Sequence, residues 1–319
     1  MSDRRSALAP AERGQSEAAE SLLNRNFNAA AAPVARRHVP TLEEFLAAAR
    51  EGNPGTIAGM IAAGAPLDGQ NDKGETALMI AAGAGKADAV KKLLEKGASS
   101  KLRDQSGNTV VQRMIMKSDV TMLQTLVDAK ADLETRNRTD QTALEFSIMM
   151  LTLPGLDKAT GMLTHPGMER QEMFDILIKG GANAKAADED GVTPVMWAAM
   201  ANSEYALKAL VAKGADIHAI AKSGANALTV AANNDSLKAA ALLLDAGVAT
   251  SNIDDKGKTP RQNAEEKGFN SMVTLILATE AKRIVIALTG DRGADTAAPE
   301  KATFKKRGGS GGGASGGPA

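Results

Sequence analysis

Short runs along the chain place apolar residues at i, i+3 and i+4, as in "AVKKLLEKGAS", "ALKALVAKGADI" and "KAAALLLDAGVA", and each run closes on a glycine. That spacing puts the apolar side chains on one face of a helix, and the glycine supplies the left-handed residue with which helices commonly end. Ahead of each run stands a second apolar stretch that follows a polar turn: "NDKGETALMIAA", "DQSGNTVVQRMI", "NRTDQTALEFSI", "DEDGVTPVMWAA", "AKSGANALTVAA" and "DDKGKTPRQNAE". The pattern predicts pairs of short helices separated by tight turns.

The pairs are periodic. Aligned on their turns, Gly74, Gly107, Asp140, Gly191, Gly224 and Gly257 share one column, at separations of 33, 33, 51, 33 and 33. A second column, Gly64, Gly97, Lys130, Gly181, Gly214 and Gly247, closes the preceding pairs with the same jump. In the turn, an Asp or Asn three residues before the Gly bonds to nearby backbone, and the Gly accepts φ > 0. The Thr that follows caps the first helix, and Pro in the first turn costs nothing because that N–H has no partner. Ala-Ala pairs such as Ala81-Ala82 and Ala198-Ala199 let the next repeat approach closely.

With its period of 33, its "G-x-T-P/A-L" columns and its "L-L-x-x-G-A" endings, the chain resembles the ankyrin repeats from about Pro40 to Leu288. The resemblance implies an all-α solenoid of stacked helix pairs with short β-hairpin loops. The His that usually follows the family's "T-P-L" is replaced by Met79, Gln112, Glu145, Met196, Thr229 and Gln262, so inter-repeat hydrogen bonding through that column is in doubt, with Met suggesting apolar packing instead. Asn226 and Ala221 stand in the fifth repeat for Thr and Asp, and a looser turn is expected there.

These columns divide the chain into a mobile N-terminal arm (1–39), an array (40–288) and a disordered Gly/Ser-rich tail (289–319). The array comprises a capping pair at 40–70, opened by a Thr41/Glu44 capping box, and six repeats at 71–288. The excess of 18 residues, about 151–168, falls between the two helices of the third repeat. Pro154-Gly155 and Pro166-Gly167 punctuate its ends, and "LDKATGML" between them reads as about two helical turns. Its residues Leu151, Leu153, Leu156, Met162, Leu163 and Met168 are too apolar for a solvated loop, which predicts packing on neighbouring helices or on a partner, with Leu153, Leu156, Met162 and His165 as its candidate contact residues.

Composition narrows the function. Aromatics make up 3% of the chain, so the core is built from small and aliphatic residues, as closely packed helices allow. The formal charge is zero, with 38 basic and 38 acidic side chains, which removes the long-range field of a nucleic-acid binder. Without cysteine there is no disulfide, zinc-thiolate site or thiol nucleophile. No secretory h-region and no membrane span is read, so a cytoplasmic monomer is expected, with secretion lacking a classical signal left open.

No catalytic residue, metal site or cofactor is read from the sequence. "AAGAGKAD" around Lys86 lacks the phosphate loop's first Gly and its Ser/Thr, because Ile80 and Ala87 hold those places. His38, His165 and His218 are scattered without partners, and Trp197 reads as a core aromatic.

The resemblance implies a non-catalytic scaffold that binds a protein or peptide partner, of unknown identity, on a concave face formed by hairpin tips and first-helix ends. Carried over, that face includes Arg138, Glu189, Asp190 and Lys222 at the tips, and Met116, Met149, Met150, Met200, Asn233 and Asn234 at the helix ends. Methionine there either repacks around an irregular ligand or fills gaps between repeats. The alternative is a regulatory or localising factor whose tail, with Lys305, Lys306 and Arg307, carries an address while the repeats hold the target.

Overall fold

The computed structural model describes residues 38–151, 155–156, 163–164 and 168–290. The arm up to residue 37, the tail from residue 291 with its basic cluster, and Leu153, Met162 and His165 of the insertion lie outside the described residues. The chain divides into two compact units, one ending at Asp216 and one starting at Ile217.

In the first unit the helices are α1 (Leu42–Glu51), α2 (Pro54–Ala62), α3 (Ala77–Gly83), α4 (Ala87–Glu95), α5 (Val110–Lys117), α6 (Val120–Asp128), α7 (Ala143–Met150), α8 (Met168–Lys179), α9 (Pro194–Met200) and α10 (Glu204–Ala212). Helices α1, α3, α5, α7 and α9 pack side by side in that order, and α2, α4, α6 and α8 form a second row behind them. The second unit repeats the arrangement with α11 (Ala227–Asn233), α12 (Leu237–Asp245), α13 (Pro260–Glu266) and α14 (Asn270–Thr289). This is the expected all-α, ankyrin-type fold.

Local chemistry starts each first helix. Thr76, Thr109, Thr142, Thr193 and Thr259 each accept the backbone N–H three residues on, and Asn226 does the same for α11. The Thr41/Glu44 capping box forms as the sequence predicts, at 2.8 and 3.3 Å. Between repeats the two facing rows bury small and branched residues: Ala81, Ala89, Leu93, Ile115, Leu126, Ile148 and Leu177 are 0% exposed. Each large aliphatic side chain so buried contributes about 1.5–3 kcal/mol.

Hairpin-like turns precede the first helices. The backbone closes them identically, with Asn71 N–H donating to the Glu75 carbonyl at 3.1 Å, Asp104 to Asn108 at 3.0 Å and Asn137 to Gln141 at 2.9 Å. The fifth turn, expected to be looser, closes the same way, with Ala221 donating to Ala225 at 2.9 Å and a single bridge between Ile220 and Asn226. The expectation fails because the closing bonds run through backbone, and Gly224 (φ 73°) meets the conformational demand unaided. Both columns keep positive φ where glycine is missing: Asp140 at 57° and Lys130 at 60°.

Hydrogen bonding between repeats survives the loss of histidine. Gln112 is fully buried, and its Nε2 donates to the Gln141 carbonyl at 2.8 Å and to the Thr135 carbonyl at 3.3 Å. Met79 and Met196, in the same column, are buried and pack without such bonds. The doubt therefore applies to the Met positions and not to the Gln.

In the insertion, Gly155–Leu156 (β1) pairs antiparallel with Leu163–Thr164 (β2). Leu156 and Leu163 had been read as the ends of a helix; as strand partners they correct that expectation, since residues paired across a ladder cannot also stack along one helical axis. Residues 157–162 lie outside the described residues.

Candidate partner-binding site

On α3, α5, α7 and α9 the same two positions recur, the first buried or half-buried and the second exposed on every helix. Ile80, Arg113, Phe146 and Trp197 occupy one, and Gly83, Met116, Met149 and Met200 lie one turn further on, at the helix ends. Residues three apart share a helix face. Because α3, α5, α7 and α9 are neighbours in sequence order, the side chains form one strip across them. Met116 is 53% exposed, Met149 38% and Met200 41%, so the solvent-facing outcome fits a surface better than gap filling. Met150 is half-buried.

Two of the methionines, Met116 and Met149, are positioned from the foot of their own turn. Asn108 Nδ2 donates to Met116 Sδ at 3.5 Å, and Gln141 Nε2 donates to Met149 Sδ, each eight residues on. The same reach recurs in the second unit as an ion pair, Lys258 Nζ to Glu266 Oε2 at 2.5 Å. A side chain at the turn foot thus fixes the side chain at the helix end.

Electrostatics divide the strip. Arg113 bridges Glu75 at 2.7 Å and Asp104 at 2.9 Å. Burial works to raise the Glu75 carboxyl, but the bonds from Asn71 and Arg113 outweigh it and leave its pKa below the ordinary value. Beside this triad a cleft of about 480 Å³ is lined by Lys73, Gln105, Asn108, Arg113, Met116 and Lys117. A smaller one, about 230 Å³, lies against Arg50, Gly83, Arg113 and Lys117. Behind the strip, fully buried Glu145 accepts from Arg136 at 3.0 Å and from the Thr142 N–H at 2.8 Å. Burial dominates and pushes its pKa up, with Thr142 and Arg136 countering part of the effect.

The tip residues are less uniform. Arg138 donates to the Gln105 carbonyl at 2.6 Å and so ties two turns together. Glu189 and Asp190 are exposed. Lys222, Asn233 and Asn234 belong to the second unit, where Lys222 is exposed at its tip, the Asn233 carbonyl accepts from Lys267 at 2.7 Å and Asn234 Nδ2 donates to the Val230 carbonyl at 2.8 Å. Leu156 enters only as the backbone of β1.

Two residues of the strip escaped the sequence reading. Phe146 was not singled out, and Trp197, read as core, is half-buried on the strip, its Nε1 shielded from solvent without a hydrogen-bond partner. The available signal was register: both stand six residues after the turn column, level with Arg113.

Among the described residues, no group of three or more His, Cys, Asp or Glu side chains could hold a metal ion, and no helix is long and apolar enough to cross a membrane. His38 pairs with Glu44 at 3.0 Å, and His218 is exposed. Lys86 sits in the α3–α4 connection just before α4, a helix-to-helix turn.

Residues 45–148 match the family model for ankyrin repeats in three copies, and residues 190–222 match the single ankyrin repeat. The chain is 29% identical over 168 residues to neurogenic locus notch homolog protein 1 of Homo sapiens, covering 52% of this chain and 6% of that protein. It is 30% identical over 125 residues to the mitochondrial disaggregase of Bos taurus, covering 39% of this chain and 18% of that protein. The chain therefore spans only a small fraction of the curated relatives it matches. Its fold is similar to the crystal structure of the ankyrin repeat domain of Bcl-3, described as a unique member of the IkappaB protein family (TM-score 0.57, 24% identity, 73% of this chain and 96% of that one). The human ASB11 ankyrin repeat domain is also similar (TM-score 0.52, 18% identity, 74% and 96%).

Proposed function

Because the chain is an ankyrin-repeat protein, and such repeats generally mediate contacts between proteins, we propose that it is a non-catalytic binding protein whose first unit docks a protein partner on the strip of first-helix ends. One observation carries the reading: Met116, Met149 and Met200 are exposed at equivalent positions of three neighbouring helices in a chain whose other first-helix apolar residues are largely buried. Flexible thioethers adapt to an apolar ligand without a rigid pocket. Met150 lies at the edge of the strip, as do the tips Glu189 and Asp190. The insertion, with Leu153, Leu156, Met162 and His165, leaves α7 at the Met149 end and extends the contact in this reading.

The test is affinity purification with the full chain beside a Met116→Glu/Met149→Glu/Met200→Glu variant, followed by mass spectrometry. Specific partners are expected to disappear from the variant. Equal recovery on both would remove the strip from consideration.

A further inference from the structure

Across the five first helices of the first unit the strip changes character. At the α1–α5 side, Arg50 and Lys117 share one cleft, and Lys86 lies close by: a Cβ at Gly52, one turn-residue past α1, would come within 2.5 Å of the Lys86 side chain. All three cations are exposed, and no ion pair joins any of them to a described carboxylate. Among the described residues, Lys117 Nζ donates only to the Gly83 carbonyl, at 3.4 Å. Of the neighbouring acids, Glu75 and Asp104 are engaged by Arg113 and Asp119 by the Met122 N–H at 3.0 Å, while exposed Asp88 lies two residues after Lys86. Glu51, beside Arg50 in sequence, is the remaining carboxylate at that helix end. Arg50 shares the column of Met149 and Met200, Lys117 stands one residue past that column and Lys86 lies in the turn beyond it; at the α7–α9 side Phe146, Met149, Trp197 and Met200 carry no charge among them.

We infer that the strip reads an extended segment with carboxylates at one end, set against Arg50, Lys86 and Lys117, and large apolar side chains at the other, set against Phe146, Met149, Trp197 and Met200. This rests on the docking reading above and adds the partner's chemistry and direction to it. The size is consistent. Helices pack about 8–10 Å apart, so five in a row span roughly 40 Å, the reach of about 12 extended residues. Cations in the last turn of α1 and α5 also complement the helix dipole, but that role acts on folding and leaves their outer faces free for an anion. Unpaired charges at a rim set orientation and on-rate, while apolar anchors supply the residence time.

The probe is a set of random twelve-residue peptides displayed on phage and selected on the full chain. Winners are synthesised and titrated by fluorescence anisotropy against three proteins: the wild type, an Arg50→Glu/Lys86→Glu/Lys117→Glu variant, and a Met149→Glu/Met200→Glu variant. Circular dichroism confirms that both variants fold. The expected winners place Asp or Glu at one end and Phe, Leu or Trp at the other. They bind about tenfold or more weakly to each variant, and their affinity for wild type falls with added salt. Neutral or basic winners, or acidic ones that bind the charge-reversed variant unchanged, would overturn the inference; if they still lose affinity on the Met variant, the docking reading stands without it. Should no peptide be selected, or should winners bind the Met variant unchanged, both readings fall.

Discussion

In the third repeat the turn position that elsewhere holds glycine is Asp140, and Asn137 gathers the loop around itself: its Oδ1 accepts from the Thr139 and Gln141 N–H groups, each at 2.9 Å. In the fifth repeat glycine is kept at Gly224, the acceptor side chain is gone at Ala221, and the backbone closes the turn while Asn252 Nδ2, from the next turn, donates to the Gly224 carbonyl. The two turns end in the same geometry by different routes, one through its own side chains that offset an unfavourable φ and one through glycine with no acceptor side chain of its own. The routes have unequal costs elsewhere. The third repeat follows a helix pair closed by Lys130 at φ 60° and buries Glu145 against Arg136, so its stability depends on charges being matched inside the protein. The fifth depends on one amide, Asn226, which caps α11 and donates to the Ala249 carbonyl at 3.1 Å.

The largest effect should come from separating the buried pair. Arg136→Met leaves Glu145 enclosed without its cation and is expected to lower stability by about 3–5 kcal/mol in urea unfolding, with Glu145→Gln restoring part of the loss in the double variant. In the fifth repeat Asn226→Ala should cost about 1–2 kcal/mol, for a lost cap and one inter-repeat bond. Equal losses at the two sites would erase the distinction between them.

A pH series sharpens it further. The folded pKa of Glu145 is raised, so folding favours its protonated form; its contribution is fully present below the unfolded value of 4.5 and is lost as pH rises through the folded value. The wild type should therefore lose stability relative to Glu145→Gln as pH climbs from 4 through that folded value, while Asn226→Ala should keep a constant offset. A pH-independent difference for Glu145→Gln would show that burial does not govern this carboxyl.

The smallest effects are gains. Lys130→Gly relieves a left-handed lysine at the end of the second repeat's helix pair and should stabilise the array by a few tenths to about 1 kcal/mol. Ala221→Asp, which adds the missing acceptor to the fifth turn, should gain about 0.5 kcal/mol. Thermal melts of the two variants measure both.

The period of 33 carried most of the fold. It located the caps at Thr76 and Thr142, and it marked Asp140 and Lys130 as residues standing where glycine belongs, which their positive φ explains. Periodicity reports register and not partners, so it could not show that Glu145 finds Arg136 nine residues earlier, or that Arg138 bonds a neighbouring turn. The looser fifth turn was a misjudgement of the same kind, because it weighted a side chain where backbone bonds decide. At the strip, methionines were readable as a column, but Phe146 and Trp197 lay in helix interiors where aromatic residues are ordinarily core. Only the packing order of α5, α7 and α9 turns them outward together.

One contact gives the insertion a practical meaning. Arg170 Nη1 donates to the Met150 carbonyl at 2.8 Å, so the last residue of α7 and the first turn of α8 hold one another directly. Whatever chain runs between them need not supply that registration. The join behaves as a socket: a foreign domain with closely spaced termini could be spliced there as a reporter, leaving the repeats on both sides in phase.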